Sequence, residues 1–198
     1  MDKLRPFYLF LKRFVDLTED EFTNLIMPDI EVRQFRKREL ILKDGEIENY
    51  QNYVLTGLVR KFYVHSEEEI ITQIAKEGHI IGVQESFYTK SPSEFCLQAL
   101  EPTTLVSMNY DNLNKCFGYN AKMERLGRLV LTSVMVLKDR WHMNRIRLSP
   151  RERFVDFVLK NPDMLQRVPQ KYLASYLNIQ PETFSRFKHL LKEKRVES

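Results

Sequence analysis

The sequence predicts an α+β chain: a helical N-terminal segment, a small antiparallel β-roll, one long helix, and a C-terminal pair of short helices joined by a tight turn. Three observations predict it. Short β-rich runs bounded by turn residues follow one another closely through residues 39–108, the texture of an antiparallel jelly roll or barrel. Residues 110–148 then contain no proline, a stretch too long for an ordinary globular helix unless it breaks once or packs against a partner. Finally, residues 168–191 carry two apolar stripes at helical spacing, separated at Asn178.

At the N-terminus, Thr18-Glu-Asp-Glu21 is a capping-box pattern, and Phe22, Leu25 and Ile26 follow at helix spacing. The first forty or so residues therefore read as helical. The β-runs fall at residues 40–42, 53–55, 58–64, 70–75, 95–100 and 104–108. Lys43-Asp-Gly-Glu46, Thr56-Gly57, His65-Ser-Glu-Glu68, Glu77-Gly78 and Glu101-Pro102 separate them. In the long helix the expected break is Phe117-Gly-Tyr119. Beyond it Met123, Leu126, Val130, Val134, Leu137 and Trp141 share one broad face, and Leu129, Val136 and Met143 extend the apolar character to another. A helix apolar on two sides is expected to lie on the roll with one and on a second subunit with the other; a core helix within one chain is the plainer alternative.

Ser149-Pro-Arg-Glu152 opens the next helix with a serine cap, a first-turn proline and a capping-box glutamate. Phe154, Val155 and Val158 give it a core face, and Asn161-Pro162 stops it. These boundaries divide the chain into residues 1–118, 119–148 and 149–198.

The last division carries the most specific pattern. Leu173, Tyr176 and Leu177 line one helix, with the small Ala174 where a second could cross closely. Asn178 suits the left-handed backbone that would end it. Pro181 and Glu182 suit the first turn of the next, whose buried stripe is Phe184, Phe187, Leu190 and Leu191. Its other face offers Glu182, Ser185, Arg186 and His189, side chains able to reach base edges or phosphates from a major groove. With Gln170, Gln180, Thr183 and Lys188 these form the candidate DNA-binding set. The competing reading is a simple αα-hairpin. Charge favours the DNA reader: of a formal net charge of +4, residues 145–198 hold 12 basic against 6 acidic residues, and residues 1–144 hold 19 against 21. The surplus lies where a phosphate backbone would need it.

Cys96 and Cys116 lie in no CxxC or Cys/His cluster, so a disulfide framework, a zinc finger and a cysteine-ligated iron–sulfur cluster are not expected. Charges at Lys12, Arg13 and Asp16 interrupt the N-terminal apolar patch, which is neither signal peptide nor membrane span. The expected location is the cytoplasm. His65, His79, His142 and His189 are scattered, which disfavours a cupin-like metal enzyme, and no catalytic constellation is found.

The order of roll, long helix and helix-turn-helix resembles the cyclic-AMP receptor protein/Fnr (Crp/Fnr) family of bacterial transcription regulators. The residues that carry the resemblance are Asp44-Gly45-Glu46, Tyr53-Val-Leu-Thr-Gly57-Leu-Val-Arg60, Gly78 with Gly82 four residues on, and Pro181-Glu-Thr-Phe-Ser-Arg186. The resemblance implies a cyclic-nucleotide-binding-like β-roll, a dimerisation helix at 119–148, and a winged helix-turn-helix whose wing is truncated by the end at Ser198. It further implies a cytoplasmic homodimer reading a near-palindromic site on double-stranded DNA, with RNA polymerase as a partner and no membrane. Glu182 and Arg186 match the family's base-contacting positions, and Thr183 and His189 its phosphate-contacting ones. Pro181 replaces a frequent arginine, so a different operator is expected.

The effector region departs from the family. After Gly82, a gapless match sets Val83 where nucleotide binders carry a ribose glutamate, Ser93 where they carry the phosphate arginine, and Glu94 beside it. Losing a charge-assisted pair forfeits about 1.5–3 kcal/mol, so cyclic AMP is not the expected effector. The candidate pocket comprises Arg60, Gly82, Val83, Gln84, Glu85, Ser86, Ser93, Glu94, Lys138 and Asp139. Of these, Arg60, Gln84 and Glu85, and with them Lys90, are expected at the surface. Two alternatives stay within the family: a haem sensor, with iron held by His79 or His142, and a regulator needing no effector.

Overall fold

A computed structural model describes residues 2–196, with side chains as far as His189. The chain forms two compact units, residues 1–63 with 73–136 and residues 64–72 with 137–198.

The first unit opens with α1 (Arg5–Lys12) and α2 (Glu19–Glu21), which continues through a π turn, Phe22–Ile26, and a 3-10 turn, Met27–Asp29. Thr18 caps α2 reciprocally: Glu21 N donates to Thr18 Oγ1 at 3.1 Å and Thr18 N to Glu21 Oε2 at 2.9 Å. Helix ends there, which corrects the reading of a helical N-terminal forty. Glu31–Phe35 is a strand, β1, paired antiparallel with residues 103–107; a neighbouring strand decides its conformation where local pattern does not.

The remaining strands are β2 (Leu40–Leu42), β3 (Tyr50–Thr56), β4 (Val59–His65), β5 (Glu68–Ala75), β6 (Ile80–Ile81), β7 (Cys96–Ala99) and β8 (Thr103–Asn109), with α3 (Gln84–Thr89) between β6 and β7. They form two four-stranded sheets in the orders β1-β8-β3-β6 and β2-β7-β4-β5. The pleat sorts the side chains. Val54 and Leu105 point into the roll with Val59, Ile81, Val83 and Leu97. Their neighbours Tyr53 and Val106 point the other way, onto Phe7, Leu11, Phe22, Ile26, Met123 and Leu126. β6 and α3 escape the sequence reading because two residues show no period and α3 buries only Ser86 and Phe87. Gly57 turns β3 into β4 with φ +94, where a Cβ would lie 2.5 Å from Thr103 Oγ1.

After β8 come α4 (Tyr110–Gly118) and α5 (Ala121–Arg147), broken at the expected place. Tyr119 donates to Asp29 Oδ2 at 3.1 Å, and Phe117 lies so close over Gly127 that no Cβ fits there. The apolar surface of α5 is buried at Met123 and Leu126 and largely uncovered beyond: Met135, Leu137 and Ile146 are 69%, 60% and 66% exposed. No helix among the described residues is long and apolar enough to cross a membrane.

The second unit comprises α6 (Pro150–Lys160), α7 (Met164–Arg167), α8 (Gln170–Leu177) and α9 (Pro181–Val196). Ser149 and Glu152 cap α6 as the sequence implies. Its core face differs: Arg153, Phe154, Phe157 and Val158 are buried and Val155 is exposed. That register is itself helical, two i,i+4 pairs side by side.

Candidate nucleic-acid interface and effector region

The turn between α8 and α9 is held by backbone chemistry. Asn178 takes φ 52 and ψ 54, and its N–H and that of Ile179 return to Ser175 O at 3.0 Å and Ala174 O at 2.9 Å. These bonds satisfy carbonyls that a helix end leaves open. Leu173, Ala174, Leu177 and Phe184 are buried between the helices, and Phe154 meets Phe184 edge-on at 5.0 Å. Tyr176 stacks on Trp141 with ring centres 4.2 Å apart and planes 8° from parallel; burial drives its phenol pKa far upward.

One buried cation organises this unit. Arg153, 8% exposed, donates through Nη1 to Leu148 O (2.6 Å) and Arg145 O (3.2 Å), through Nε to Leu177 O (2.9 Å) and through Nη2 to Asn178 O (3.0 Å). The guanidinium thus bonds the last carbonyls of both α5 and α8, where helix dipoles present negative ends. Desolvation and nearby Arg145 lower its pKa, yet guanidinium keeps its proton. Ser175, on α8, accepts from Ile71 N at 2.9 Å and donates to Glu69 O at 3.4 Å, covering backbone groups of β5, an edge strand.

With the apolar stripe turned inward, Glu182, Arg186 and His189 form an exposed row along α9, and Gln180 is exposed before it. Gln170, Thr183, Ser185 and Lys188 are half-buried. The side chains of Leu190 and Leu191, and any wing after α9, lie outside the described residues.

In the first unit, the candidate effector residues gather around the start of α3. Val83, at its N-cap, is buried in the roll, and Gln84, Glu85 and Ser86 form its first turn. Ser86 Oγ accepts from Glu48 N at 2.9 Å and donates to Ser91 O at 2.6 Å. Ser93 is buried, its hydroxyl donating to Phe95 O at 2.8 Å and accepting from Phe95 N at 3.0 Å, while Glu94 is exposed. Ser93, which the sequence match sets at the phosphate-pairing position, is thus a neutral hydroxyl tied to its own turn.

Arg60 corrects the expectation of surface exposure: it is 2% exposed, donates from Nε to Gln98 Oε1 at 2.8 Å, and stands 4.0 Å over the Phe62 ring. Gln98 anchors it, the aromatic face neutralises part of its desolvation cost, and the buried cation becomes part of the sheet. Of the other three expected at the surface, Gln84 is half-buried, and Glu85 and Lys90 are exposed. Lys138 and Asp139 are exposed on the part of α5 that belongs to the second unit. Among the described residues no group of three or more His, Cys, Asp or Glu could hold a metal. Burial pushes the Cys116 thiol up to about 11 and lowers the His79 pKa.

Glu48 is 3% exposed, and its Oε1 accepts from Tyr50 N at 3.0 Å. Burial raises its pKa more than the backbone N–H groups of Tyr50 and Val83 lower it. A raised carboxyl binds its proton more tightly folded than unfolded, so its contribution to stability is full below the ordinary glutamate range and lost as pH rises through the raised value. Urea midpoints of the wild type should therefore fall relative to Glu48→Gln as pH rises above about 4.5; parallel profiles would refute the assignment.

Residues 32–120 match the family model of the cyclic nucleotide-binding domain. Across the whole architecture the chain is similar to FixK2 from Bradyrhizobium japonicum, with TM-score 0.70 and 19% identity over 83% of this chain and 85% of that one. The chain has the Crp/Fnr fold. The same Crp/Fnr architecture is similar to the c-di-GMP responsive global regulator CLP from Xanthomonas campestris (TM-score 0.67, 16% identity, 89% of this chain and 93% of that one). It is also similar to the catabolite activator protein of Thermus thermophilus (TM-score 0.56, 21% identity, 94% and 88%). A sequence comparison with curated proteins found no match.

Two residues that shape this Crp/Fnr fold escape sequence reasoning. Arg153 had a signal, its place beside Phe154 and four residues before Phe157 on a helical stripe. Glu48 had none, because it sits in the polar run Glu46-Ile-Glu48-Asn49, where nothing marks one carboxylate for burial.

Proposed function

We propose that this chain is a homodimeric, DNA-binding transcription regulator of the Crp/Fnr family, gated by an effector other than cyclic AMP in its β-roll. The observation that carries the reading is the exposed row Glu182, Arg186 and His189 on a helix whose apolar side is packed on Phe154 and α8. Arg can give two bonds to guanine, Glu can accept one from cytosine, and Thr183, Lys188 and His189 lie where phosphates pass. The uncovered apolar residues of α5 supply the surface for a second copy, as a paired-helix dimer requires. Sensing in residues 1–118, pairing through 119–148 and reading in 149–198 follow the family plan, with RNA polymerase as the further partner. A non-catalytic role accords with that plan.

The binding test uses fluorescence anisotropy on a labelled duplex of arbitrary sequence. Affinity should fall steeply with salt, by counterion release; no binding at low salt would contradict the proposal. Cyclic AMP should give no saturable heat in a calorimetric titration, because Ser93 offers its phosphate no charge and Arg60 is already bonded to Gln98. Micromolar cyclic-AMP binding would overturn that part. The fold does not itself demand cyclic AMP, since one protein that shares it is described as responsive to c-di-GMP.

A further inference from the structure

The roll has an open edge. β1 ends one sheet and β2 ends the other, and beside them lies a cleft of about 400 Å³. Its walls are Arg33 of β1, Ile41 and Leu42 of β2, Tyr50 of β3 and the segment 46–49 that joins β2 to β3. That volume is within the range of small-molecule sites. None of these residues belongs to the pocket expected from the sequence, although Glu48 N donates to Ser86 Oγ of α3 and so ties the cleft to that region.

Arg33 is its distinctive group. It stands opposite Leu105 in the β1 to β8 register, so it shares the face that points into the roll. Its guanidinium carbon lies 4.3 Å from the centre of the Tyr50 ring and 5.0 Å from that of Phe35. The rings hold the ion in place but supply no oxygen to its five N–H donors. Half-buried, Arg33 joins no hydrogen bond or ion pair among the described residues. The buried arginines differ, since Arg60 is bonded to Gln98 and Arg153 to four carbonyls. A guanidinium held by two rings with its fork unused is prepared for a planar anion.

The neighbouring carboxylates are engaged elsewhere. Glu46 Oε2 accepts from Lys43 N at 2.9 Å, Glu31 Oε1 accepts from the Tyr50 hydroxyl at 3.3 Å, and Glu48, 3% exposed, accepts from Tyr50 N. Burial raises the Glu48 pKa and favours its neutral form, which limits its repulsion of a bound anion.

Resting on the reading of an effector-gated roll, we propose that the effector is a small organic anion, a carboxylate or a phosphate monoester, bound in this cleft. Its oxygens pair with the Arg33 guanidinium and its apolar body lies along Ile41, Leu42 and Ile47. The charge that Ser93 does not offer is thus supplied from β1. Volume sets the size: a cavity of about 150 Å³ holds benzene, so roughly fifteen non-hydrogen atoms suit the cleft.

The test titrates 1-naphthoate, 1-naphthyl phosphate, 1-naphthylmethanol and 1-naphthylmethylamine by calorimetry into the full chain without DNA, at about 0.15 M salt. At least one of the two anions should bind saturably, with a Kd on the order of 1 mM or tighter, and the tighter of the two identifies the charged group. The alcohol and the amine should bind more weakly by about tenfold or more. Arg33→Gln should weaken the anion by about tenfold or more, the loss of one charge-assisted pair, and leave the alcohol unchanged. Arg33→Met serves the same comparison if the glutamine variant does not fold. Lys90→Gln, which removes an exposed cation outside the cleft, should change nothing. Failure of both anions to bind, equal binding of the alcohol or the amine, or unchanged anion affinity in the Arg33 variants would each overturn the proposal. Affinity for the preferred duplex should then change at saturating anion; an unchanged value would refute gating by the roll, a failure distinct from absence of binding.

Discussion

Arg153→Met is expected to destabilise the second unit by about 2–5 kcal/mol, because it leaves buried carbonyl oxygens unsatisfied at about 1–3 kcal/mol each. The wild-type guanidinium bonds four carbonyls, two at the end of α5 and two at the end of α8. Each bond from a charged donor is worth about 1.5–3 kcal/mol, and the bonds are not additive because they share one group. Methionine fills similar space and satisfies none of the acceptors. Lysine should rescue little, since a single ammonium cannot span four acceptors that a planar fork reaches. Trp141 is the chain's one tryptophan and stacks on Tyr176, so its fluorescence reports on this unit. In urea its transition should move to markedly lower denaturant, and a loss below about 1 kcal/mol would show that the guanidinium does not hold the two helix ends.

Arg186→Ala is expected to lose about 1–3 kcal/mol on the preferred duplex, or roughly 5- to 150-fold in Kd, and to relax one base position. Arg186 is exposed on α9 between Glu182 and His189, so its removal leaves the packing of Phe154 on Phe184 intact and the effect falls on recognition. Lys188→Ala should instead weaken all duplexes alike and reduce the salt slope by about one. Equal losses of Arg186→Ala on preferred and random duplexes would assign Arg186 to phosphate contact and refute its role as a base reader.

The parts legible in the sequence are those where local chemistry dictates structure. Capping boxes at Thr18 and Ser149, the break near Gly118 and the left-handed Asn178 are local events, and each occurs where the residues place it. The parts that were not legible depend on distant partners. β1 is a strand because β8 lies beside it, and Arg60 is buried because Gln98 and Phe62 accommodate it. Glu48 follows the same rule, since only the assembled sheet decides which polar side chain of a polar run is enclosed. For the candidate DNA-reading row the sequence sufficed to place Glu182, Arg186 and His189 together, because a single helical period relates them. The effector region did not yield in this way, as its residues come from a short helix without a period and from loops.

The central claim, that the chain is a paired reader of DNA, is tested most directly by selecting preferred duplexes from a random-sequence pool with the full-length protein. The account predicts enrichment of an inverted repeat, its half-sites centred about one helical turn, 10–11 base pairs, apart, and a site that differs from the family's best-known one because Pro181 stands where an arginine is common. Recovery of no enriched sequence, or of a single half-site without a symmetry mate, would contradict it.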